Sequence, residues 1–134
     1  MATKYVVDTH ALVWFLEGNP RLGTNAKARL EDPSSLLIVP IIVVAEACWI
    51  IEHGRTSIPS VSDFLQAVDG DPRVTVIALD RAILDKTLPL QTIGELHDRQ
   101  IVATAHFLQD HGETVAVLTK DTNIRDAGVV PTIW

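Results

Sequence analysis

The sequence predicts an α/β domain built on a parallel sheet that helices cover on both faces. Two observations carry this. The candidate strands are short runs rich in Val, Ile and Leu without polar alternation, the pattern of strands buried on both sides. Each run is followed by a segment of helical character, so strand and helix alternate along the chain. Length sets the scale: 134 residues, of which 47% are hydrophobic, fit a single domain spanning residues 1–134 with a sizeable core.

The elements follow from local signals. Tyr5 to Val7 reads as a short buried strand, and Thr9 to Leu16 as a helix that Gly18, Asn19 and Pro20 end. Thr24 caps a helix through Asp32, which Pro33 stops. Leu36 to Val39 is the second strand, and a long apolar helix from Ile41 to His53 ends at Gly54. Ser60 or Ser62 opens a helix through Val68, after which Asp69-Gly70-Asp71-Pro72 turns the chain. Arg73 to Ile77 is the third strand, and Asp80 caps a helix to Thr87, ahead of Pro89. Leu90 to His97 has no clear periodicity. Asp98 starts a helix to Asp110 that His111-Gly112 ends; Thr114 to Thr119 is the fourth strand, Thr122 to Ala127 a short helical turn and Val130 to Ile133 a final strand. No internal repeat, low-complexity tract or interdomain linker interrupts this order.

Composition narrows the function. A formal charge of −6 has the wrong sign for holding nucleic acid by broad attraction. It counts less against a metal-dependent nuclease, because two divalent cations would offset roughly four charges where phosphate must sit. Arg21, Lys27, Arg29, Arg55, Arg99, Lys120 and Arg125 are available for local attraction, but they form no run, and each is more simply a solvated surface charge than a phosphate contact. Cys48 is the only cysteine, so no intrachain disulfide forms and a reducing compartment is allowed; a small core residue is its simplest role. The longest apolar run, Leu36 to Ile51, is broken by Pro40 and Glu46 and is short for a bilayer, and the N-terminus lacks a signal-peptide pattern. The expectation is a soluble cytoplasmic protein with no membrane partner.

Four acids carry the chemistry. Asp8 stands where a strand stops and a helix begins, the place where open α/β sheets bind ligands, although an N-cap role explains it alone. Glu46 is the only charged residue between Leu36 and Ile51, in a helix so evenly apolar that it should be buried. A carboxylate there needs a cation or strong donors, or must point out through a gap or pair with an Arg. Asp98 shares a helix face with Ile101, Val102, Ala105 and Leu108, which turns it toward the core at a helix N-terminus. Asp121 repeats the strand-end placement of Asp8, with a turn or cap as the plain alternative. Thr119 is placed to hydrogen-bond a metal ligand, and Thr9, Glu95 and Arg99 are weaker second-shell or substrate candidates. Asp126 lies further from the strand end. If the four acids converge, pairs about 4 Å apart repel by about 4 kcal/mol at an effective dielectric of 20, so a cation must hold them together. All-oxygen ligation selects Mg²⁺ or Mn²⁺ over zinc. The histidines show no HExxH spacing, and neither a GxSxG elbow nor a phosphate-cradling GxxxxGKS/T loop occurs. An acidic cluster of this kind serves phosphodiester hydrolysis by metal-activated water.

Taken together, Tyr5-Val6-Val7-Asp8-Thr9-His10-Ala11-Leu12, Val43-Val44-Ala45-Glu46-Ala47, Asp98 to Ala105, and Leu118-Thr119-Lys120-Asp121 with the closing Val130 to Trp134 resemble the PIN-domain family, in particular the VapC-type ribonuclease toxins of toxin-antitoxin pairs. The resemblance spans nearly the whole chain. It implies a three-layer α/β/α sandwich, Mg²⁺ or Mn²⁺ held by Asp8, Glu46, Asp98 and Asp121 with Thr119 as a polar neighbour, and RNA as substrate. It also implies a homodimer and a cognate antitoxin whose tail covers the active face, with the exposed part of the first helix around Trp14 and Phe15 as one surface for it, although core packing is the plainer role of either residue alone. Two departures stand out. Pro40 replaces the frequent Ser before the second acidic helix, and suits a first helical turn. Thr92 to His97 replaces the family's frequent Pro- and Asp-containing form, a difference that falls on substrate contacts rather than on the metal group.

Two other readings compete. An aspartyl-nucleophile phosphatase or phosphotransfer domain also puts Asp at a strand end, but usually needs a second Asp two residues on, where His10 stands. A catalytically silent PIN fold acting as an interaction module would not need all four acids.

Overall fold

The computed structural model describes residues 2–134. Among them the order is β1 (Lys4–Val7), α1 (Thr9–Glu17), α2 (Thr24–Glu31), β2 (Leu36–Pro40), α3 (Ile41–Glu52), α4 (Val61–Gly70), β3 (Val74–Ile77), α5 (Arg81–Thr87), α6 (Leu96–Asp110), β4 (Val115–Leu118), α7 (Thr122–Ala127) and β5 (Thr132–Ile133). The strands form one parallel sheet in the order β3-β2-β1-β4-β5. Val7 pairs with Leu118, so β1 and β4 stop at the same height. The central strands are buried on both sides, as their unbroken apolar composition requires: Val6, Val7, Val39, Val117 and Leu118 have no exposed surface. With the right-handed crossovers general to parallel sheets, this strand order puts α1 to α4 over one face and α5 to α7 over the other, the expected three-layer sandwich. No helix of the described residues is long and apolar enough to cross a membrane.

Three expectations need correction. The first concerns α2, whose cap position is Gly23 rather than Thr24 and has no side-chain cap bond. The reason is packing: a Cβ on Gly23 would lie 2.5 Å from the carbonyl carbon of Trp134, so this end of the helix makes room for the last residue. Asn25 Nδ2 donates to the Trp134 carbonyl at 3.0 Å, and the Trp134 ring packs 6.0 Å from that of Trp14.

The second concerns α6, which begins at Leu96 and not at Asp98. Glu95 is its N-cap and accepts the Asp98 backbone N–H at 2.9 Å, leaving Asp98 in the first turn. Asp98 nevertheless keeps the expected face, beside the buried Ile101, Val102, Ala105 and Leu108.

The third concerns α3. Only Val43, Val44 and Ala47 are buried; Ile41, Ala45 and Trp49 are exposed, and Glu46 is half-buried at a rim. An all-apolar helix can carry an apolar face that its own chain does not cover, and composition does not separate that case from burial. Cys48 is half-buried against the core.

Loops on the opposite, amino edge are tied by Arg73. Its guanidinium bonds Asp71 through Nε at 3.1 Å and Nη2 at 2.8 Å, while Nη1 donates to the carbonyls of Leu30 at 2.7 Å and Asp32 at 2.9 Å.

Candidate metal centre

The chain winds outward from β1 through β2 to β3, then returns to β4 on the other side of β1 and continues to β5. Strand order therefore reverses between β1 and β4, and the carboxyl ends of these two strands flank the crevice where open parallel sheets take ligands. Asp8 follows β1 there and Asp121 follows β4 by three residues.

Asp8 is held rigidly. Its backbone N–H donates to Leu118 at 3.1 Å, which continues the β1–β4 ladder. Its Oδ1 accepts the Thr9 N–H at 2.6 Å, and its Oδ2 accepts the Thr119 hydroxyl at 2.6 Å. Thr119 Oγ1 in turn accepts the Asp121 N–H at 3.0 Å, so one hydroxyl links the two strand-end acids. Asp121 caps α7, accepting the N–H of Asn123 at 2.7 Å and of Ile124 at 3.3 Å. Burial pushes the Asp8 carboxyl above the usual range, and the bonds from Thr119 and Thr9 only partly restrain it.

The other layers bring further acids. Asp98 is 8% exposed, and its carboxyl is pushed up to about 7, first by burial and then by the charges of Asp121, Glu95, Asp8 and Glu46. A helix N-terminus favours an anion, so this rise occurs against the local dipole. Across from it, α3 contributes Glu46, whose Oε2 lies 3.3 Å from His97 Nδ1; the same nitrogen lies 3.3 Å from Glu95 Oε1. Asp8, Glu46, Glu95, Asp98 and Asp121 line one cavity of about 230 Å³ with His10, His97, Ile101 and Asn123.

The four acids read from the sequence are therefore brought to one cavity, with Thr119 behind them. Glu95 joins them at the mouth while capping α6. Thr9 is buried, and its backbone serves Asp8. Arg99 is not brought in: its guanidinium donates to the carbonyls of Ile93 and Gln91 and braces the loop before α6. His10 and His97, read from the sequence only as surface or neighbouring groups that adjoin site acids, both line the cavity, and Asn123 is the lining residue that residue patterns did not single out. For His97 the only signal is its position one residue before Asp98, and for Asn123 its position in the first turn after Asp121.

The donor set suits a small hard cation, since every charged group facing the cavity except the histidines is a carboxylate. Among the described residues, no three His, Cys, Asp or Glu side chains close to coordination spacing.

The family profile described as PIN domain matches residues 5–130. No curated protein matches the chain. Among solved structures, VapBC2 from Rickettsia felis bound to a DNA fragment from their promoter is similar, with a TM-score of 0.70, 14% identity and 97% of each chain covered. FitAB bound to an IR36 DNA fragment is also similar, with a TM-score of 0.56 and 21% identity over 96% of this chain and 93% of the other.

Proposed function

Because the chain belongs to the PIN-domain family, which the profile over residues 5–130 establishes, we propose that it is a metal-dependent endoribonuclease and the toxin of a toxin-antitoxin pair. One observation carries the reading: carboxylates from four separate elements crowd the switch point, so that burial and like charge push Asp98 to about 7. Such crowding destabilises the apo fold, and perturbed acids gathered in a crevice are a mark of functional sites.

Asp8, Glu46, Asp98 and Asp121 are the residues we assign to Mg²⁺ or Mn²⁺. When bound, the ion supplies a water of lowered pKa and neutralises charge on the phosphodiester for in-line displacement. The chain's part is positioning. Thr119 and Thr9 fix both oxygens of Asp8, and Thr119 also fixes the Asp121 backbone. Asp98 and Glu46 approach from opposite layers, and side-chain rotation would have to bring them to a shared cation. His97, between Glu46 and Glu95, steadies the mouth.

Partners follow from the same reading. Both similar structures are of VapBC2 and FitAB on DNA, and on that likeness we assign a cognate antitoxin. The uncovered part of α3 around Ile41 and Ala45, away from the acidic cavity's neighbouring cleft, supports a protein interface, and a homodimer is the assembly we assign.

The test is direct. Purified protein with mixed RNA and Mn²⁺ should cut; chelator and Asp8→Asn should each abolish cutting. Phosphate release or a phosphorylated Asp8 in place of cutting would refute the nuclease reading.

A further inference from the structure

Beside the acidic cavity a second cleft opens between α1 and α3, of about 340 Å³, lined by His10, Val13, Trp14, Arg21, Glu46, Trp49, Ile50 and Arg55. It shares His10 and Glu46 with the acidic cavity, so the two adjoin across these side chains. Its volume lies in the range of ligand pockets. We propose that this cleft is the subsite for one unpaired nucleotide of the RNA chain next to the scissile phosphate, its base stacking on the Arg55 guanidinium beside the exposed edge of Trp49 and its phosphate meeting Arg21. The assignment rests on the nuclease reading above.

Charge and shape both favour this occupant. In a chain of net charge −6 two guanidiniums converge here, and neither joins an ion pair among the described residues. Arg55 Cζ lies 5.1 Å over the Trp49 ring, which His53 also stacks at 4.0 Å, so the planar surface left for a base is the guanidinium backed by that ring; Arg21 Cζ lies 5.9 Å and Lys120 Nζ 4.6 Å over the Trp14 ring. Trp49 is 48% exposed, an unusual state for an indole on a well-packed domain. Aromatic rings and guanidinium planes next to free cations are the combination that receives unstacked bases and their phosphates.

The cleft is also built, not incidental. Glu17, at the end of α1, accepts the Thr56 hydroxyl at 2.6 Å and the Ser57 N–H at 2.9 Å, and so pins the loop that carries Arg55. On the other wall, the Arg21 N–H donates to Asn19 Oδ1 at 2.9 Å and Asn19 Nδ2 reaches Glu17 Oε1 at 3.2 Å. One carboxylate thus anchors both arginine loops.

The experiment measures binding of a fluorescent, uncleavable 2′-O-methyl RNA of mixed sequence as a function of salt, in an Asp8→Asn background. Trp49→Ala should weaken binding about 5- to 150-fold, and Trp49→Phe should retain most of it. Arg21→Ala and Arg55→Ala should each reduce the slope of log affinity against log salt by about 0.7. Lys27→Ala, which removes an exposed cation outside the cleft, is the reference. Thermal melts confirm folding of each variant. If the cleft variants match Lys27→Ala while unmodified protein cuts RNA, the subsite is refuted and the nuclease reading stands. Loss of binding to a protein partner with RNA binding intact refutes it equally. If unmodified protein neither binds nor cuts RNA with Mn²⁺, the nuclease reading falls and takes the subsite with it.

Discussion

Thr119 donates its hydroxyl to Asp8 across the β1–β4 seam at 2.6 Å, and the same oxygen accepts the Asp121 N–H at 3.0 Å. A single 1%-exposed side chain thus sets the spacing of the two acids at the switch point. Thr119→Val keeps the shape and removes both bonds. Leaving a buried carboxylate oxygen and an N–H without partners should cost about 1–3 kcal/mol, read by chemical denaturation. Because the hydroxyl holds the Asp8 carboxyl down, its loss should raise the titration of Asp8 further and weaken Mn²⁺ binding.

Asp98 gives a pH signature. Its folded-state value of about 7 lies above that of an unfolded carboxyl, so between about pH 4 and pH 7 the folded protein binds more protons than the unfolded chain. Stability without metal should therefore fall as pH rises through that window and level off above it. Mn²⁺ should remove the fall, because it stabilises the ionised form. Asp98→Asn should melt higher than the parent at pH 8 without metal and show a weaker pH dependence. Thermal melts at pH 5 and pH 8, with and without Mn²⁺, check each sign.

Glu46→Gln separates site from scaffold. Its side chain is 31% exposed at the rim, so the substitution should change stability by less than about 1 kcal/mol. RNA cleavage with Mn²⁺ should nevertheless fall by at least an order of magnitude if the residue acts at the metal. Melting temperature and initial cleavage rate, measured on the same preparation, distinguish the two effects.

Gly23→Ala tests the contact at the end of the chain. The added methyl would meet the Trp134 carbonyl carbon at 2.5 Å and the indole at 2.7 Å. Backbone does not yield as a side chain does, so a loss of about 1–3 kcal/mol is expected, with a change in tryptophan fluorescence as Trp134 leaves Trp14.

Arg73→Ala should cost roughly 1.5–3 kcal/mol, read by denaturation, since it strands Asp71 and two carbonyls. The positions of the site acids at the far end of the sheet should not move, so Mn²⁺ affinity should hold.

Much of this architecture is legible in the residues. Asp8 and Asp121 can be placed because each follows an unbroken apolar run, and a buried parallel strand leaves few other readings of such a run. Asp98 can be oriented because helical periodicity assigns it to the face of Ile101 and Val102. Other features depend on what a residue meets far away in the chain. The apolar composition of α3 fits a buried helix and a half-exposed one equally, which is why the exposure of Trp49 and the rim position of Glu46 were not legible. The start of α6 depends on Glu95, an uncommon cap residue. Convergence of Arg21 and Arg55 depends on two loops meeting at Glu17, and nothing in either loop alone signals it.

The central claim is that the switch-point carboxylates act together on one divalent cation. Titration calorimetry of Mn²⁺ at pH 8 tests it most directly, using the parent and the single variants Asp8→Asn, Glu46→Gln, Asp98→Asn and Asp121→Asn. The account expects the parent to bind Mn²⁺ and every variant to bind it at least several-fold more weakly. Equal affinity in all five proteins, or no binding by the parent, would contradict it.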